Sequence, residues 1–118
     1  MRTKIKEKLV AIDTNVYYGI VPDIKDRVDY NFLVFGQEKL SKSGTSLNDI
    51  NGYWYVTIVR ENFIPDDLVS QVIESLTSIK GLRLANGDHI YEYLRKGNTS
   101  DVIESLTLSF TRIKDKGC

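Results

Sequence analysis

Hydrophobic residues recur at helical spacing at the start of the chain. Ile5, Leu9 and Ile12 are separated by four and then three positions, so they line one side of a short helix. The pattern predicts that this helix ends near Asp13, where the periodicity changes.

A second helix is predicted between Pro65 and Ile79. Proline is favoured at the first helical position, and the two aspartates that follow it lie where the helix dipole favours negative charge. Gly81 provides a left-handed cap at the other end. The apolar positions form one stripe that should pack on a sheet, and they are Leu68, Val69, Val72, Ile73, Leu76 and Ile79.

Most of the remaining apolar segments have the composition of β-strands. Residues 30–37 are the most apolar, with bulky side chains on both faces, which is typical of a strand in the middle of a sheet. In residues 53–60, Trp54, Val56 and Ile58 share one face of the strand. We expect an α+β fold with a mostly antiparallel twisted sheet flanked by helices. Its strands should lie near residues 16–21, 30–37, 53–60, 89–95 and 105–113.

The dipeptide Asn86-Gly87 separates two short segments of strand character, residues 82–85 and 89–95. Asn-Gly is the preferred dipeptide in a two-residue β-hairpin loop, because the turn requires a positive φ at both positions and Asn and Gly adopt it most readily. The sequence therefore predicts a hairpin in which these two segments pair with each other.

The segment from Glu38 to Gly52 is dominated by Ser, Lys, Gly, Thr, Asn and Asp. It predicts a long polar loop, of a length at which structureless loops are usually functional or disordered. The apolar residues within it indicate either that the loop is pinned to its own sheet or that it contacts a partner on assembly, and we take the second as the hypothesis. The candidate contact residues are Lys39, Leu40, Lys42, Leu47, Asp49 and Ile50.

One pattern, Ser-x-Val-Ile-Glu-Ser-Leu-Thr, occurs at residues 70–77 and again at residues 100–107. The residues around the two copies differ, so the coincidence does not indicate a repeat array. We expect the first copy to be helical, because it follows Pro65. The second should be extended, because it leads into alternating apolar and polar positions.

Composition narrows the class of protein. The 118 residues are expected to form a single domain whose core needs no metal or disulfide for stability. The 16 basic and 16 acidic residues balance, which argues against a general binder of nucleic acid or of anionic membranes. The apolar runs are too short for a membrane span or a secretory signal, and the one cysteine, Cys118, fits a reducing compartment.

Residue types that carry catalysis are scarce. His89 is the one histidine, it lies beside a predicted turn, and neither a nucleophile elbow nor a reactive-cysteine context accompanies it. The sequence contains no P-loop, no dinucleotide-binding glycine string and no spacing typical of a metal cluster. We therefore expect no enzymatic activity, no cofactor, and no catalytic or metal-binding residues.

Two features support an alternative function, that of a small nucleic-acid-binding protein or a metal-dependent nuclease. Some such nucleases place a Pro-Asp pair before an apolar strand that ends in acid-x-Lys. Here Asp23 follows a proline, but Glu38 and Lys39 are adjacent, so the motif is broken. Aromatic side chains on a sheet can also stack bases, although nearby acidic residues offset the basic charge that this requires. The aromatic residues in question are Tyr53, Trp54, Tyr55, Tyr91 and Tyr93.

From about Ile5 to Lys114, the order of elements resembles the tail terminator or tail completion proteins of long-tailed bacteriophages. A short helix precedes the strand Val16-Tyr17-Tyr18-Gly19, and the apolar strand Tyr30-Asn31-Phe32-Leu33-Val34-Phe35-Gly36 follows. After a polar loop come the strand Tyr53-Trp54-Tyr55-Val56-Thr57-Ile58-Val59, one amphipathic helix, a hairpin, and a last strand ending in basic residues.

This resemblance implies a structural protein of the virion. Members of the family assemble as rings, usually of six copies, that cap the tail tube and present their other side to the head connector. The implied partners are copies of the same chain, the tail tube protein and the head connector protein, without a membrane or a sequence-specific nucleic acid. The implied location is the neck of the tail in the virion, and the host cytoplasm during assembly.

Overall fold

The structure, a computed structural model, describes residues 1–20, 30–42, 50–85, 87–95 and 101–112. These residues form an α+β fold, as the sequence predicts, with two helices and a six-stranded sheet. In chain order the elements are α1 (Arg2–Val10), β1 (Val16–Tyr18), β2 (Phe32–Lys42), β3 (Ile50–Glu61), α2 (Asp66–Thr77), β4 (Leu82–Leu84), β5 (Tyr91–Arg95) and β6 (Val102–Arg112).

The sheet has the strand order β1-β2-β3-β6, and both β4 and β5 pair with the far side of β6. β1 is parallel to β2, and every other pair in the described residues is antiparallel. The apolar strand β2 lies between β1 and β3, which confirms the prediction that it occupies the interior of the sheet. Its residues 32–35 are buried on both faces, as such a strand requires.

Both helices pack on one face of the sheet, which we call the helix face. Trp54, Val56 and Ile58 of β3 point to this face, as their alternation predicts, and all three are buried. Leu68, Val72 and Leu76 of α2 are buried against it, so the predicted stripe is confirmed. The other buried residues of this core are Ile5, Leu9, Leu33, Phe35, Ile64, Ile79, Leu82, Leu106, Leu108 and Phe110.

A smaller apolar cluster lies on the opposite face of the sheet. It consists of Phe32, Val34, Val59 and Ile103, and Tyr17 meets Phe32 edge to face with ring centroids 5.9 Å apart. Polar contacts continue this face toward the other end of the strands. The hydroxyl oxygens of Thr57 and Thr107 are 2.9 Å apart, and the Ser109 hydroxyl donates to a carboxylate oxygen of Glu38 at 3.1 Å.

A partly buried ion pair fixes the end of α1 to the sheet. Arg60 Nη2 on β3 donates to Asp13 Oδ2 at 2.6 Å, and Arg60 Nη1 donates to the carbonyl of Val59 at 2.9 Å. The other oxygen of Asp13 accepts the backbone N–H of Asn15 at 2.9 Å. Each charged group therefore has further hydrogen-bond partners, which limits the cost of burying it.

Gly36 on β2 lies directly under the ring of Tyr55 on the neighbouring strand. A Cβ atom at residue 36 would lie 2.9 Å from Tyr55 Oη and 3.0 Å from Tyr55 Cε1. We expect Gly36→Ala to lower the free energy of unfolding by about 1–3 kcal/mol in urea denaturation, because the ring must shift to make room. In a Tyr55→Thr background the same change should cost much less, and an equal cost in both backgrounds would contradict the contact.

The predicted hairpin between residues 82–85 and 89–95 is wrong. β4 and β5 each pair with β6, from Leu82 opposite Arg112 to Leu84 opposite Phe110, and from Tyr91 opposite Leu106 onward. The two short strands are therefore consecutive parts of one edge strand along β6, and in the described part of the connection residue 85 and residues 87–90 bulge out between them. Gly87 has the positive φ (115°) expected of Asn-Gly, but it serves this bulge.

The predicted loop at residues 38–52 is also corrected at both ends. β2 continues to Lys42 and β3 begins at Ile50, and these two residues are register partners. We call residues 38–42 and 50–52 the hairpin arm. Residues 43–49, between its two strands, lie outside the described part of the chain.

Neither helix in the described residues combines the length and the hydrophobicity needed to cross a bilayer.

Candidate functional site

The hairpin arm carries most of the candidate contact residues predicted from the sequence. Lys39, Leu40 and Lys42 lie on β2, and Ile50 lies on β3. Leu47 and Asp49 lie outside the described residues. In the described residues, β3 pairs with β6 as far as Gly52 opposite Arg112, and residues 50–51 of the arm pair with β2.

A β-bulge marks the base of the arm. The register between β2 and β3 shifts between Gln37 and Lys39. Bulges bend a strand and increase its twist, so this one sets the direction in which the arm leaves the sheet. The Glu38 carboxylate reaches across the opposite face to accept from the Ser109 hydroxyl, which fixes the bulged strand to β6.

An open groove of about 350 Å³ lies at the same end of the sheet, on the helix face. Its walls include the start of α1 and the side chains of Gln37, Trp54 and Arg112. The Arg2 guanidinium lies 5.3 Å from the centroid of the Tyr18 ring, a cation–π arrangement that holds one rim of the groove. The two arginines give this end of the molecule a basic, polar surface beside the arm.

The far edge of the sheet is formed by β5, all of whose residues are exposed. Glu104 of β6 lies on the helix face and makes hydrogen bonds at this edge. One of its carboxylate oxygens accepts the backbone N–H of Ile64 at 2.7 Å, and Tyr93 lies opposite Glu104 in the register. The hydrogen bond between Tyr93 and Glu104, together with the negative charge of Glu104, raises the pKa of the Tyr93 hydroxyl above its usual value.

Glu104→Gln should lower the pKa of Tyr93 toward the ordinary tyrosine value, because the amide carries no charge. Since folding raises this pKa, the contribution of Tyr93 to stability is present below the ordinary tyrosine pKa and is lost as the pH rises through the raised value. The measurement is an NMR titration of ring-labelled tyrosine, with Tyr93→Phe to assign the signal. An unchanged Tyr93 titration in the Gln variant would contradict the contact.

His89 lies in the bulge between β4 and β5, where it has a structural contact. The backbone N–H of Ser109 donates to His89 Nδ1 at 3.4 Å, so the imidazole replaces a sheet hydrogen bond that the bulge removes.

We expect His89→Ala to leave biological activity intact and to lower the free energy of unfolding by about 0.5–1.5 kcal/mol. The neighbouring exposed Asp88→Ala is the matched control and should change stability less. A loss of function of about a hundredfold in a folded His89 variant would indicate catalysis instead. The same expectation holds for Asp23→Ala, although Asp23 lies outside the described residues.

Of the features that favoured a nuclease or a nucleic-acid binder, Asp23 lies outside the described residues. Glu38 is engaged by Ser109, and the described residues contain no group of three or more His, Cys, Asp or Glu side chains placed to hold a metal ion. Trp54 is buried on the helix face, whereas Tyr55 lies on the opposite face and Tyr93 lies at the far edge. These aromatic side chains therefore do not form one stacking surface.

Sequence reasoning did not single out the exposed β5 edge as a contact surface. The structure leaves Tyr91 41% and Tyr93 62% exposed. The missed signal is that Tyr91, Tyr93 and Leu94 are apolar on both faces of a short strand whose other residues are charged. Such a strand cannot turn one polar face to water.

Comparison with solved structures finds a protein of similar fold. A chain from the virion of a native gene transfer agent (GTA) particle aligns with 98% of this chain and 95% of that chain, with a TM-score of 0.50 and 11% sequence identity. At this level of identity the similarity concerns the fold alone. No family model and no curated protein sequence matches this chain.

Proposed function

We propose that this chain is a structural protein of a phage-like virion. Within the virion we assign it to the tail as the terminator or completion subunit, which caps the tail tube and forms the joint with the head. In this role it assembles as a ring, usually of six copies, at the neck of the tail, and it exists in the host cytoplasm before assembly.

The observation that carries the proposal is the fold similarity to a virion chain over nearly the full length of both proteins. The order of elements, read from the sequence, supports the same class independently. A short helix, the apolar interior strand, the tyrosine-rich strand and one amphipathic helix follow one another as in tail terminator proteins.

The shape of the molecule supports a role in protein contacts. The hairpin arm and the basic groove lie at one end of the strands, and the exposed β5 lies along one edge of the sheet. Aromatic side chains and arginine are the residues that protein interfaces favour. We assign the arm end of the sheet to the tail tube or the head connector, and the sheet edges to neighbouring copies.

The proposal assigns no enzymatic activity to the chain. Its residues would act by binding. The alternative function differs, because a nucleic-acid binder needs a basic stacking surface and a metal-dependent nuclease needs a carboxylate site.

Light scattering on a size-exclusion column, together with negative-stain electron microscopy, tests the proposal on the purified chain. We expect a ring-sized species whose fraction rises with protein concentration, and we expect antibodies against the chain to label the neck of particles. Loss of the gene should give separate heads and tails. A protein that stays monomeric, is absent from particles, and binds DNA with an affinity that falls steeply with salt would instead support the alternative.

A further inference from the structure

The exposed large hydrophobic side chains of the described residues fall into two groups at opposite edges of the sheet. The first, the β1 edge group, lies beside β1 and the end of α1. The second, the β5 edge group, lies along β5 and the adjoining start of β6. The β1 edge group is Val10, Tyr18 and Ile20, and the β5 edge group is Phe63, Ile90, Tyr91, Tyr93, Leu94 and Val102.

The β5 edge group presents an apolar strand with an unused side. β5 pairs with β6 along one side, and in the described residues its other side has no strand partner. Tyr91 and Tyr93 lie opposite Leu106 and Glu104, so they face the helix side, whereas Leu94 lies opposite Ile103 and faces the other way. With Tyr93 62% and Leu94 63% exposed, apolar surface wraps both faces of this edge, which is the arrangement that recruits another chain.

The β1 edge group has fewer residues than the β5 edge group, and a helix lies beside it. Ile20, directly after β1, is 80% exposed, and Tyr18 is 46% exposed although its ring meets Phe35 edge to face. α1 lies over this edge, as the contact between Arg2 and Tyr18 shows.

The charges around the two groups are opposite. α1 exposes four basic side chains against one acidic side chain, Glu7, whereas among the described residues around β5 three exposed side chains are acidic and one, Arg95, is basic. The basic residues of α1 are Arg2, Lys4, Lys6 and Lys8, and the acidic residues around β5 are Asp88, Glu92 and Asp101. Complementary potentials of this kind select a partner and set the orientation in which it docks.

We propose that the β5 edge group of one copy docks on the β1 edge group of a second copy, with the acidic residues around β5 facing the basic residues of α1. A contact between two β5 edges would oppose acidic residues to acidic residues and would leave the β1 edge group uncovered. A contact between two different surfaces repeats from copy to copy and closes into a ring when its rotation allows. The closure into a ring rests on the proposed function, whereas the edge-to-edge contact rests on the exposure and charge of the two groups.

Two surface variants test the contact. The β5 variant carries Tyr93→Ser with Leu94→Ser, and the β1 variant carries Val10→Ser with Ile20→Ser. All four side chains are exposed, so both variants should fold, and circular dichroism checks this. The matched control is Gln71→Ser with Lys80→Ser, exposed positions on and just after α2.

Each edge variant alone should assemble only at a protein concentration at least about tenfold higher than the wild type needs, because the two serine substitutions remove apolar side chains that anchor the interface. The control should assemble as the wild type does. An equal mixture of the two edge variants should form heterodimers and no larger species, because one intact β5 edge and one intact β1 edge remain. Light scattering reads the masses directly.

Several results would overturn the contact and separate its failure from that of the proposed function. If the wild type forms rings and both edge variants do so equally well, the contact is wrong and the proposed function stands. If the mixture forms no heterodimer, the contact does not join two different edges and the proposal is wrong. If the wild type stays monomeric but the chain is found in particles, another partner covers these edges and the proposal is again wrong.

Discussion

Replacing Phe110 with alanine should lower the free energy of unfolding by about 3–5 kcal/mol. Phe110 is fully buried on the helix face of β6, where it lies opposite Trp54 of β3 and opposite Leu84 of β4. β6 pairs with three other strands, so the cavity would open where the sheet is most connected and least able to collapse. A loss of this size is a large share of the roughly 5–15 kcal/mol that stabilises a typical domain.

Urea denaturation of the wild type and the variant measures this difference, and the matched control is the next residue. Thr111 points to the opposite face and is only partly buried, so Thr111→Ala should cost less than about 1 kcal/mol. Phe110→Leu, which keeps most of the buried volume, should fall between the two. Equal losses for Phe110→Ala and Thr111→Ala would contradict the assignment of Phe110 to the core.

The core was predictable because β3 and the second half of β6 alternate between apolar and polar positions, and each helix has an apolar stripe. The spacing of Trp54, Val56 and Ile58, two positions apart, predicts one buried face of β3, and the structure places the helices on that face. The spacing of apolar residues within one helix or strand depends only on neighbouring positions in the sequence, so it can be read from the sequence.

The duplicated pattern shows that context was also readable from the sequence. Val72 to Thr77 and Val102 to Thr107 have identical residues, yet the first copy is helical in α2 and the second is a strand in β6. Pro65 and two aspartates start a helix before the first copy, whereas alternating residues lead the second into a strand, as predicted. Flanking residues decided between two conformations that the shared residues tolerate equally.

Strand pairing was predicted less well, because it depends on contacts distant in sequence. Asn86-Gly87 is a strong turn signal, but β6 offers a longer partner to both segments beside it. Pairing each segment with β6 satisfies more backbone groups than pairing the two short segments with each other. A local signal cannot report this competition.

The boundaries of the candidate site were missed for a related reason. Residues 39–42 and 50–52 carry only two apolar side chains, Leu40 and Ile50, so they lack the run of alternating apolar and polar positions that predicts a half-buried strand. Backbone pairing, which any residue type except proline can supply, holds these residues in β-structure. Polar composition was therefore mistaken for a loop.

The second large expected effect is on assembly, from shortening the segment between the two strands of the hairpin arm. Lys42 and Ile50 are already register partners, so the two-residue turn Asn-Gly is enough to connect them in place of residues 43–49. The shortened chain should fold with unchanged stability, because every described strand pair is kept. We expect it to lose ring formation or attachment to tails, since it lacks the candidate contact residues Leu47 and Asp49 and the reach of the native segment.

Two further variants separate the reach of the segment from its side chains. One replaces residues 43–49 with glycine and serine at constant length, and the other is Leu47→Ser alone. If side-chain contacts with a partner carry the effect, both should impair attachment, whereas only the Asn-Gly variant should do so if length matters. Light scattering reads assembly, and particle counts in a complementation assay read attachment. A shortened protein that still assembles and completes particles would mean that the segment is a spacer, and that the partner docks elsewhere on the hairpin arm or the groove.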